Sequence, residues 1–177
     1  VRRVVGQALG IPWAQVRIIK PYIGGGFGNK QDVLYEPLNA YLTQQLGGRP
    51  VWLEISREET MACTRVRHAI TGKVKGLARR DGTLVARKLE AYSDQGGYAS
   101  HGHSICANTI TMFKQLYHDH VVTEGDGYTV YTNHTTAGAM RAYGIPQSDF
   151  ITECMMEDLA RKLGMDTTGF LMMSHLN

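Results

Sequence analysis

Residues 23–31 are Ile23-Gly24-Gly25-Gly26-Phe27-Gly28-Asn29-Lys30-Gln31, a run rich in glycine. Glycine packs no side chain and loses more conformational entropy on folding than any other residue. Such a run is understandable where the backbone bends sharply or where a ligand lies against bare N–H groups. An apolar segment, residues 16–22, precedes it and is predicted to be a strand, and a helical pattern follows. The stretch therefore predicts either a ligand-holding junction between strand and helix or a plain connecting turn.

The composition is that of an ordinary globular protein. The chain has 177 residues, 43% of them hydrophobic and 20% charged, which fits one domain or two small ones. The formal net charge is only +3, and the lysines and arginines are scattered, so we expect no nucleic-acid partner. No apolar run approaches the roughly 18 residues of a membrane-spanning helix, and we expect no membrane partner either.

The cysteines and the first residues indicate the cellular compartment and whether the chain is part of a longer protein. Cys63, Cys106 and Cys154 are far apart and form no C-x-x-C pair, so they predict neither an iron–sulfur cluster nor a structural zinc site. Their odd number favours a reducing compartment, and we expect a cytoplasmic protein. The chain begins at Val1 within a helical pattern, without Met or a signal-like segment. We therefore interpret residues 1–177 as one fragment of a longer protein.

Apolar periodicity, caps and turn residues predict a mixture of helices and strands. Asp81-Gly82 is a strong hairpin signal, and glycines interrupt residues 94–127, which are the hardest to assign. The fold class predicted is α+β, with mixed sheets and packed helices. The predicted elements are a helix ending at Gly10, a strand at 16–22, a helix at 35–46, a strand at 51–55, a short helical turn capped by Ser56, a hairpin of 69–79 and 84–93, a helix at 105–116, a strand at 128–131, a helix starting at Pro146 and ending at Gly164, and a helix at about 167–176.

Standard nucleotide-binding motifs do not explain the glycine-rich stretch. A dinucleotide fingerprint that began at Gly24 and Gly26 would need a third glycine where Asn29 stands. A P-loop needs Gly-Lys-Ser/Thr, but Lys30 lies between Asn29 and Gln31. The nucleophile elbow of serine hydrolases, Gly-x-Ser-x-Gly, is also absent from the sequence.

Two histidine pairs are candidates for metal binding. His101/His103 and His118/His120 each have the i,i+2 spacing that would place both rings on one face of a strand. Neither pair has a third ligand at an evident spacing, so the simpler interpretation is polar loop histidines. His103 and Ser104 could instead hydrogen-bond a ligand.

A second loop of small residues, 135–144, contains Arg141. The planar guanidinium of arginine suits a phosphate, a carboxylate or the edge of a pterin. The alternative is that Arg141 reaches a local carboxylate and has only a structural role. The residues themselves leave both interpretations open.

Together the two loops resemble signatures of the molybdenum hydroxylases, the family of xanthine dehydrogenase and aldehyde oxidase. Residues 24–30 resemble the family's Gly-Gly-Gly-Phe-Gly-Gly/Asn-Lys, and residues 138–147 resemble its Gly-Ala-Phe/Met-Arg-Gly-Phe/Tyr-Gly-x-Pro-Gln loop. The resemblance covers nearly the whole chain, and residues 96–104 are closer to the bacterial xanthine dehydrogenases than to the aldehyde oxidases. Further matches in the same order are 48–51, 56–59, 67–68 and 81–83.

The resemblance implies that the chain is part of a molybdopterin-binding domain. The implied cofactor is molybdopterin with molybdenum, in the cytosine dinucleotide form, and no protein side chain ligates the metal. Iron–sulfur clusters and FAD are expected on other domains or subunits, which would be partners together with the remainder of the molybdenum subunit. The implied cofactor-binding residues are Gly25, Gly26, Phe27, Ala139 and Arg141.

The resemblance also implies a substrate side of the pocket. Gln31 matches a position that faces the substrate and is glutamate in the animal purine enzymes, and Tyr143 matches an aromatic residue that stacks on the substrate ring. An amide keeps a hydrogen-bond acceptor and adds donors, so Gln31 leaves a purine substrate open. The family's general-base glutamate is expected outside this chain, and so is the glutamine that contacts the metal. No catalytic residue is therefore expected here, and the fragment alone is expected to be inactive.

The implied activity is oxidation of a purine such as xanthine or hypoxanthine, with water as the oxygen source. One alternative is hydroxylation of another small aromatic N-heterocycle, such as nicotinate, or the activity of an aldehyde oxidase-type enzyme. A second alternative, from a different class, is a non-catalytic domain that only binds a partner subunit.

Overall fold

The computed structural model describes residues 1–117 and 121–176, and it has an α+β fold. The pair His118/His120 lies outside the described residues. The described part contains six α-helices, three strands and one short 3-10 helix, Trp13–Gln15. In chain order the α-helices and strands are α1 (Arg2–Leu9), α2 (Glu36–Gln45), α3 (Arg57–Cys63), β1 (Ile70–Ala78), β2 (Leu84–Asp94), α4 (Gly102–Gln115), β3 (Val122–Val130), α5 (Ile145–Leu163) and α6 (Thr167–Leu176).

The predicted hairpin is confirmed. Strands β1 and β2 pair antiparallel from Ile70↔Ser93 onward, with an irregularity next to Ala78. The turn has the expected chemistry, since the Asp81 carboxylate accepts a hydrogen bond from the Thr83 N–H at 2.9 Å and Gly82 has a positive φ of 93°.

Strand β3 completes a mixed sheet of order β1-β2-β3 and runs parallel to β2. It begins at Val122, six residues before the predicted strand at 128–131, and it includes two glycines that the sequence alone predicts to be interruptions. Both glycines lie under α4: a Cβ on Gly125 would come 2.8 Å from Ile110, and one on Gly127 would come 2.8 Å from Cys106. They are glycines because the helix packs closely on the strand, not because the strand stops.

The core lies between the sheet and helices α4 and α5. Leu89 and Ala91 of β2 are fully buried against Phe113 of α4. A second cluster joins Met156 of α5 to Phe170 of α6, so the C-terminal helices are packed into the same body. Beside this core, the segment after β2 is hydrogen-bonded to the segment before α5, since the Ala137 N–H donates to the Gln95 carbonyl oxygen at 3.0 Å.

The helix predictions are confirmed, with adjusted ends. The predicted stop residues Gly10 and Gly164 cap the C-termini of α1 and α5, both with left-handed φ, and Pro146 lies in the first turn of α5. Ser56 forms the predicted capping box with Glu59, and the helix it starts runs on to Cys63. Helix α4 starts at Gly102, three residues before the predicted start. No helix in the described ranges is long and apolar enough to cross a membrane.

The two predicted strands at 16–22 and 51–55 are wrong for this structure. Both segments lie outside every strand, and their backbones pair with no strand of residues 1–117 or 121–176. The side chains of 51–55 still alternate between partly buried and exposed. An alternating sequence specifies which way side chains point, but a strand also needs a neighbour whose N–H and C=O groups complete the ladder.

Candidate functional site

The two glycine-rich loops lie directly against each other. The Arg141 N–H donates a hydrogen bond of 2.7 Å to the carbonyl oxygen of Phe27. Gly28 has a φ of 104°, and a Cβ at this position would lie 2.5 Å from the carbonyl oxygen of Ala139. Only glycine allows the backbones to approach so closely, and the contact joins residues that are more than a hundred positions apart.

Backbone strain is concentrated in these loops. Phe27 (φ 51°), Ala142 (φ 70°) and Tyr143 (φ 48°) are three of the four non-glycine residues with positive φ in the described ranges. L-residues in the left-handed region cost of order 1–3 kcal/mol each, and they cluster at sites where function demands the geometry. The strain therefore marks the two loops as a candidate site.

Unpaired donors line the place where the loops meet. Within the described ranges, the N–H groups of Gly26, Phe27 and Ala139 donate to no protein acceptor. The Arg141 guanidinium is exposed and makes no hydrogen bond or ion pair to any described residue. The local carboxylate partner that the sequence left open is therefore not found in this part of the chain. Uncompensated N–H donors and a fixed positive charge suit a polar or anionic ligand.

The ring of Phe27 covers the first half of the glycine run. A Cβ on Gly25 would lie 3.0 Å from the Phe27 ring, whose side chain is 62% exposed. Lys30 closes the loop from the other end, where its Nζ donates to the carbonyl oxygen of Ile23 at 2.7 Å. The loop is thus held in shape by its own residues, with an aromatic surface facing outward.

The segment after α3 supports both loops. Asn29 donates from Nδ2 to the Thr64 hydroxyl and accepts from the Arg65 N–H, both at 3.2 Å. On the other side, the Gly138 N–H donates to the Val66 carbonyl oxygen at 3.0 Å. Three consecutive residues therefore fix the distance between the loops.

Asp32, the residue after Gln31, is the centre of a hydrogen-bond network that sequence reasoning missed. Its carboxylate accepts from Arg65 Nε at 2.9 Å, from Ser100 Oγ at 2.8 Å and from His101 Nε2 at 3.0 Å. Partial burial acts to raise the pKa of Asp32, but the hydrogen bonds from Ser100, Arg65 and His101 outweigh it, and the pKa lies below its ordinary value. Asp32 is therefore ionised near neutral pH.

His101 connects this network to the second loop. Its Nδ1 lies 2.7 Å from the Tyr143 hydroxyl, and the two rings meet edge to face with centroids 5.7 Å apart. The Tyr143 carbonyl oxygen also accepts from Asn108 Nδ2 at 2.8 Å. Both nitrogens of His101 are thus engaged by protein groups, while His103 and Ser104 are exposed. The described ranges contain no cluster of three or more metal-ligating side chains.

The predicted site residues fall into two sets. Phe27, Ala139 and Arg141 come together at the contact between the loops. Gln31 is exposed and its side chain makes no hydrogen bond to the described residues. Its neighbour Asp32 is linked to Tyr143 through His101. A polar cluster of sequence-distant residues gives no periodic signal. The one hint was the placement of an acidic residue directly after the glycine-rich loop.

Comparison with known proteins identifies the family of the chain. Residues 1–173 match the family described as the molybdopterin cofactor-binding domain. The xanthine dehydrogenase molybdenum-binding subunit of Escherichia coli O157:H7 is 51% identical over 166 residues, which are 94% of this chain and 22% of that subunit. The nicotinate dehydrogenase large molybdopterin subunit of Eubacterium barkeri is 37% identical over 93% of this chain and 38% of that subunit.

A solved structure of an enzyme has the same fold. The aldehyde oxidoreductase of Desulfovibrio gigas superposes with a TM-score of 0.86 at 32% identity, over 96% of this chain and 18% of that enzyme. The chain thus spans about a fifth of the length of the enzyme and of the E. coli subunit it matches. Since the family match covers nearly all of the sequence, the chain belongs to the molybdopterin cofactor-binding domain family.

Proposed function

We propose that residues 1–177 are one section of the molybdopterin-binding region of a xanthine dehydrogenase-like hydroxylase, and that the two loops form one wall of its cofactor pocket. The observation that carries the proposal is the set of unpaired donors at the loop contact. The N–H groups of Phe27 and Ala139 and the guanidinium of Arg141 all belong to the two touching loops, and none of them has a protein acceptor among the described residues.

The residues present fit a pterin cofactor. Gly25 lies under the exposed ring of Phe27, and Gly26 has an N–H without an acceptor among the described residues. Ala139 and Arg141 offer donors from the facing loop. Pterin rings and phosphates carry the acceptor atoms that such donors require. When bound, molybdopterin supplies the redox-active molybdenum, and this chain's own residues bind and orient it. We expect the cytosine dinucleotide form, as the sequence resemblance implies.

We propose that Gln31 and Tyr143 face the substrate, and that the substrate is a purine such as xanthine or hypoxanthine. The 51% identity to the E. coli xanthine dehydrogenase subunit supports this class. Tyr143 offers an aromatic face, and Gln31 offers one acceptor and two donors to a heterocycle. A Gln31→Ala enzyme should have a raised KM for purines. If the wild-type enzyme does not oxidise purines, the substrate assignment fails while the family assignment stands.

A second candidate substrate is a nicotinate-like heterocycle. Its support is the 37% identity to the nicotinate dehydrogenase subunit together with a neutral Gln31, which would not repel a carboxylate-bearing ring. An aldehyde is a third candidate, supported by the likeness to the aldehyde oxidoreductase.

The complete enzyme would need parts beyond these residues. We propose that the general-base glutamate lies elsewhere in the subunit, that iron–sulfur clusters and FAD reside on other domains or subunits, and that the assembly is cytoplasmic. In the alternative of a non-catalytic interaction domain, Arg141 and the glycine-rich loop would tolerate substitution.

The test is the molybdenum content of the full-length complex that carries Arg141→Ala. We expect roughly a threefold or greater loss of molybdenum and pterin per subunit, because a charged hydrogen-bond partner of the cofactor is removed. The matched control is Arg80→Ala, an exposed arginine beside the hairpin turn. Full metal and pterin content in the Arg141→Ala complex, with unchanged turnover, would refute the cofactor role and favour the interaction domain.

A further inference from the structure

We propose that His101 is a positioning residue for Tyr143, and that Asp32 holds His101 in the tautomer that this role requires. The proposal rests on the proposed function, in which Tyr143 faces the substrate. It assigns to His101 and Asp32 the task of fixing the orientation of the Tyr143 ring before a substrate arrives. Such pre-organisation contributes to affinity because less freedom is lost on binding.

The direction of each hydrogen bond follows from the chemistry of the three groups. Asp32 is ionised and can only accept, so His101 Nε2 at 3.0 Å carries a proton. In a neutral imidazole the other nitrogen, Nδ1, is then an acceptor, and the Tyr143 hydroxyl donates to it over 2.7 Å. Asp32 thereby determines which nitrogen is available to the tyrosine.

Asp32 is itself well anchored. Arg65 Nε and Ser100 Oγ both donate to Oδ2, which leaves Oδ1 for the histidine. Arg65 in turn belongs to the segment whose backbone N–H binds Asn29 of the glycine-rich loop. The segment with Arg65 therefore holds both the glycine-rich loop, through Asn29, and the orientation of Tyr143, through Asp32 and His101.

The placement of His101 argues against a role in helix stability. His101 occupies the N-cap position of α4, where Ser, Asp or Asn would satisfy a free backbone N–H. The His101 side chain makes no such capping bond, and both its nitrogens bind Asp32 and Tyr143 instead. A residue that served the helix alone would use its side chain on the helix.

Tyr143 needs such a restraint. Its φ of 48° is strained, and its backbone is held from one side by Asn108. In the described ranges, the hydroxyl has only His101 as a hydrogen-bond partner. Without His101, backbone contacts would place the residue, but nothing polar would fix the phenol ring.

The test is a double-mutant cycle in the full-length holoenzyme with His101→Ala, Tyr143→Phe and both together. The readouts are kcat/KM for xanthine (or for nicotinate, if the wild-type enzyme hydroxylates that instead) and the Kd of urate, the product of xanthine hydroxylation, by calorimetry. We expect each single variant to lose roughly tenfold in kcat/KM, chiefly through KM, since one hydrogen bond is removed. In the Tyr143→Phe background, His101→Ala should change either quantity by less than about twofold.

Several outcomes would overturn the proposal. Losses that add in the double variant would mean that His101 acts independently of the Tyr143 hydroxyl, and an unaffected Tyr143→Phe enzyme would mean that the hydroxyl has no role. His101→Gln, which keeps bulk and polarity, serves as the second variant if His101→Ala does not fold. We expect every His101 variant to keep the wild-type molybdenum content, and a loss of molybdenum would contradict a role limited to Tyr143. Normal metal and pterin content with unchanged turnover in Arg141→Ala would refute the proposed cofactor role separately, whatever the cycle shows.

Discussion

Gly28 determines how closely the two loops approach. Its α-carbon faces the peptide of Ala139, and an added Cβ would lie 2.5 Å from the Ala139 carbonyl oxygen and 3.0 Å from the Met140 nitrogen. Backbone atoms cannot rotate away as a side chain can, so a methyl group would have to separate the loops. The neighbouring Gly24 shares a positive φ of 70° but has nothing within 4 Å of its Cβ direction.

The two glycines therefore allow a matched experiment on the full-length enzyme. Gly24→Ala should cost about 1 kcal/mol through strain alone and leave molybdenum content near normal. Gly28→Ala should cost about 2–4 kcal/mol by overpacking and lower molybdenum content severalfold. Thermal unfolding and metal analysis of both variants would check this. Equal behaviour of the two variants would mean that the loop contact does not matter for the cofactor.

Several residues show how far sequence can locate the site. Phe27, Arg141 and their loops could be singled out, since runs of glycine and an arginine among small residues are unusual in sequence. Asp32 and His101 could not be paired, because they are 69 positions apart and their hydrogen bond depends on how α4 packs. Polar pairs of this kind have no period, so only the tertiary structure reveals them.

At the scale of elements, local signals succeeded where the element is completed by its own residues. The capping box at Ser56, the Asp81-Gly82 turn and the Gly164 stop each operate within a few positions, and each is present. Strand β3 was only partly predicted, because Gly125 and Gly127 are explained by the helix above them. Tertiary packing overrides β-propensity in such cases.

The end of β2 carries a carboxylate with a stability role that depends on pH. Asp94 accepts from Thr132 Oγ1 and His134 Nδ1, both at 2.6 Å, and from the Gly96 N–H at 2.8 Å. Hydrogen bonds from Thr132 and His134 lower its pKa from 3.8 to about 2. Asp94 thus ties β2 to the segment that leads into the second loop.

The sign of the effect follows from the lowered pKa. As the pH falls, Asp94 is protonated in the unfolded chain, near pH 3.8, before it is protonated in the folded chain, near pH 2. The stability that Asp94 contributes is therefore fully present above about pH 5 and is lost as the pH falls from about 4 towards 2. Asp94→Asn should lower the free energy of unfolding by about 1–2 kcal/mol at pH 7 and flatten this acid limb. Urea titrations of the subunit between pH 2.5 and 7 would measure both. The exposed Asp158→Asn on α5 is the control, and a limb as steep in Asp94→Asn as in the wild type would contradict the assignment.

At the scale of the whole molecule, residues 16–22 and 51–55, whose backbones pair with no described strand, both expose large apolar side chains. Ile19 is 71% exposed, Tyr22 97% and Trp52 86%, which is unusual for large apolar residues of a folded chain. Both segments line one cavity of about 620 Å³, to which the first contributes Ile18 and Ile19 and the second Leu53. Apolar side chains and unpaired backbone in one place suit coverage by additional polypeptide. The chain spans only 22% of the E. coli subunit, so we expect the remainder of the subunit to provide that cover.

Hydrogen–deuterium exchange measured by mass spectrometry tests this expectation. In the isolated 177-residue chain, amides of residues 17–22 and 51–55 should exchange fast, because no described residue accepts their hydrogen bonds. In the full-length subunit the same amides should be protected by a factor of roughly a hundred or more, as strands completed by a neighbour are. Strand β1, which pairs within the chain, is the internal control and should be protected in both samples. Fast exchange of both segments in the full-length subunit, with β1 protected, would show that their alternating pattern does not serve strand pairing, and the cavity would then have to be covered by another subunit or left open to solvent.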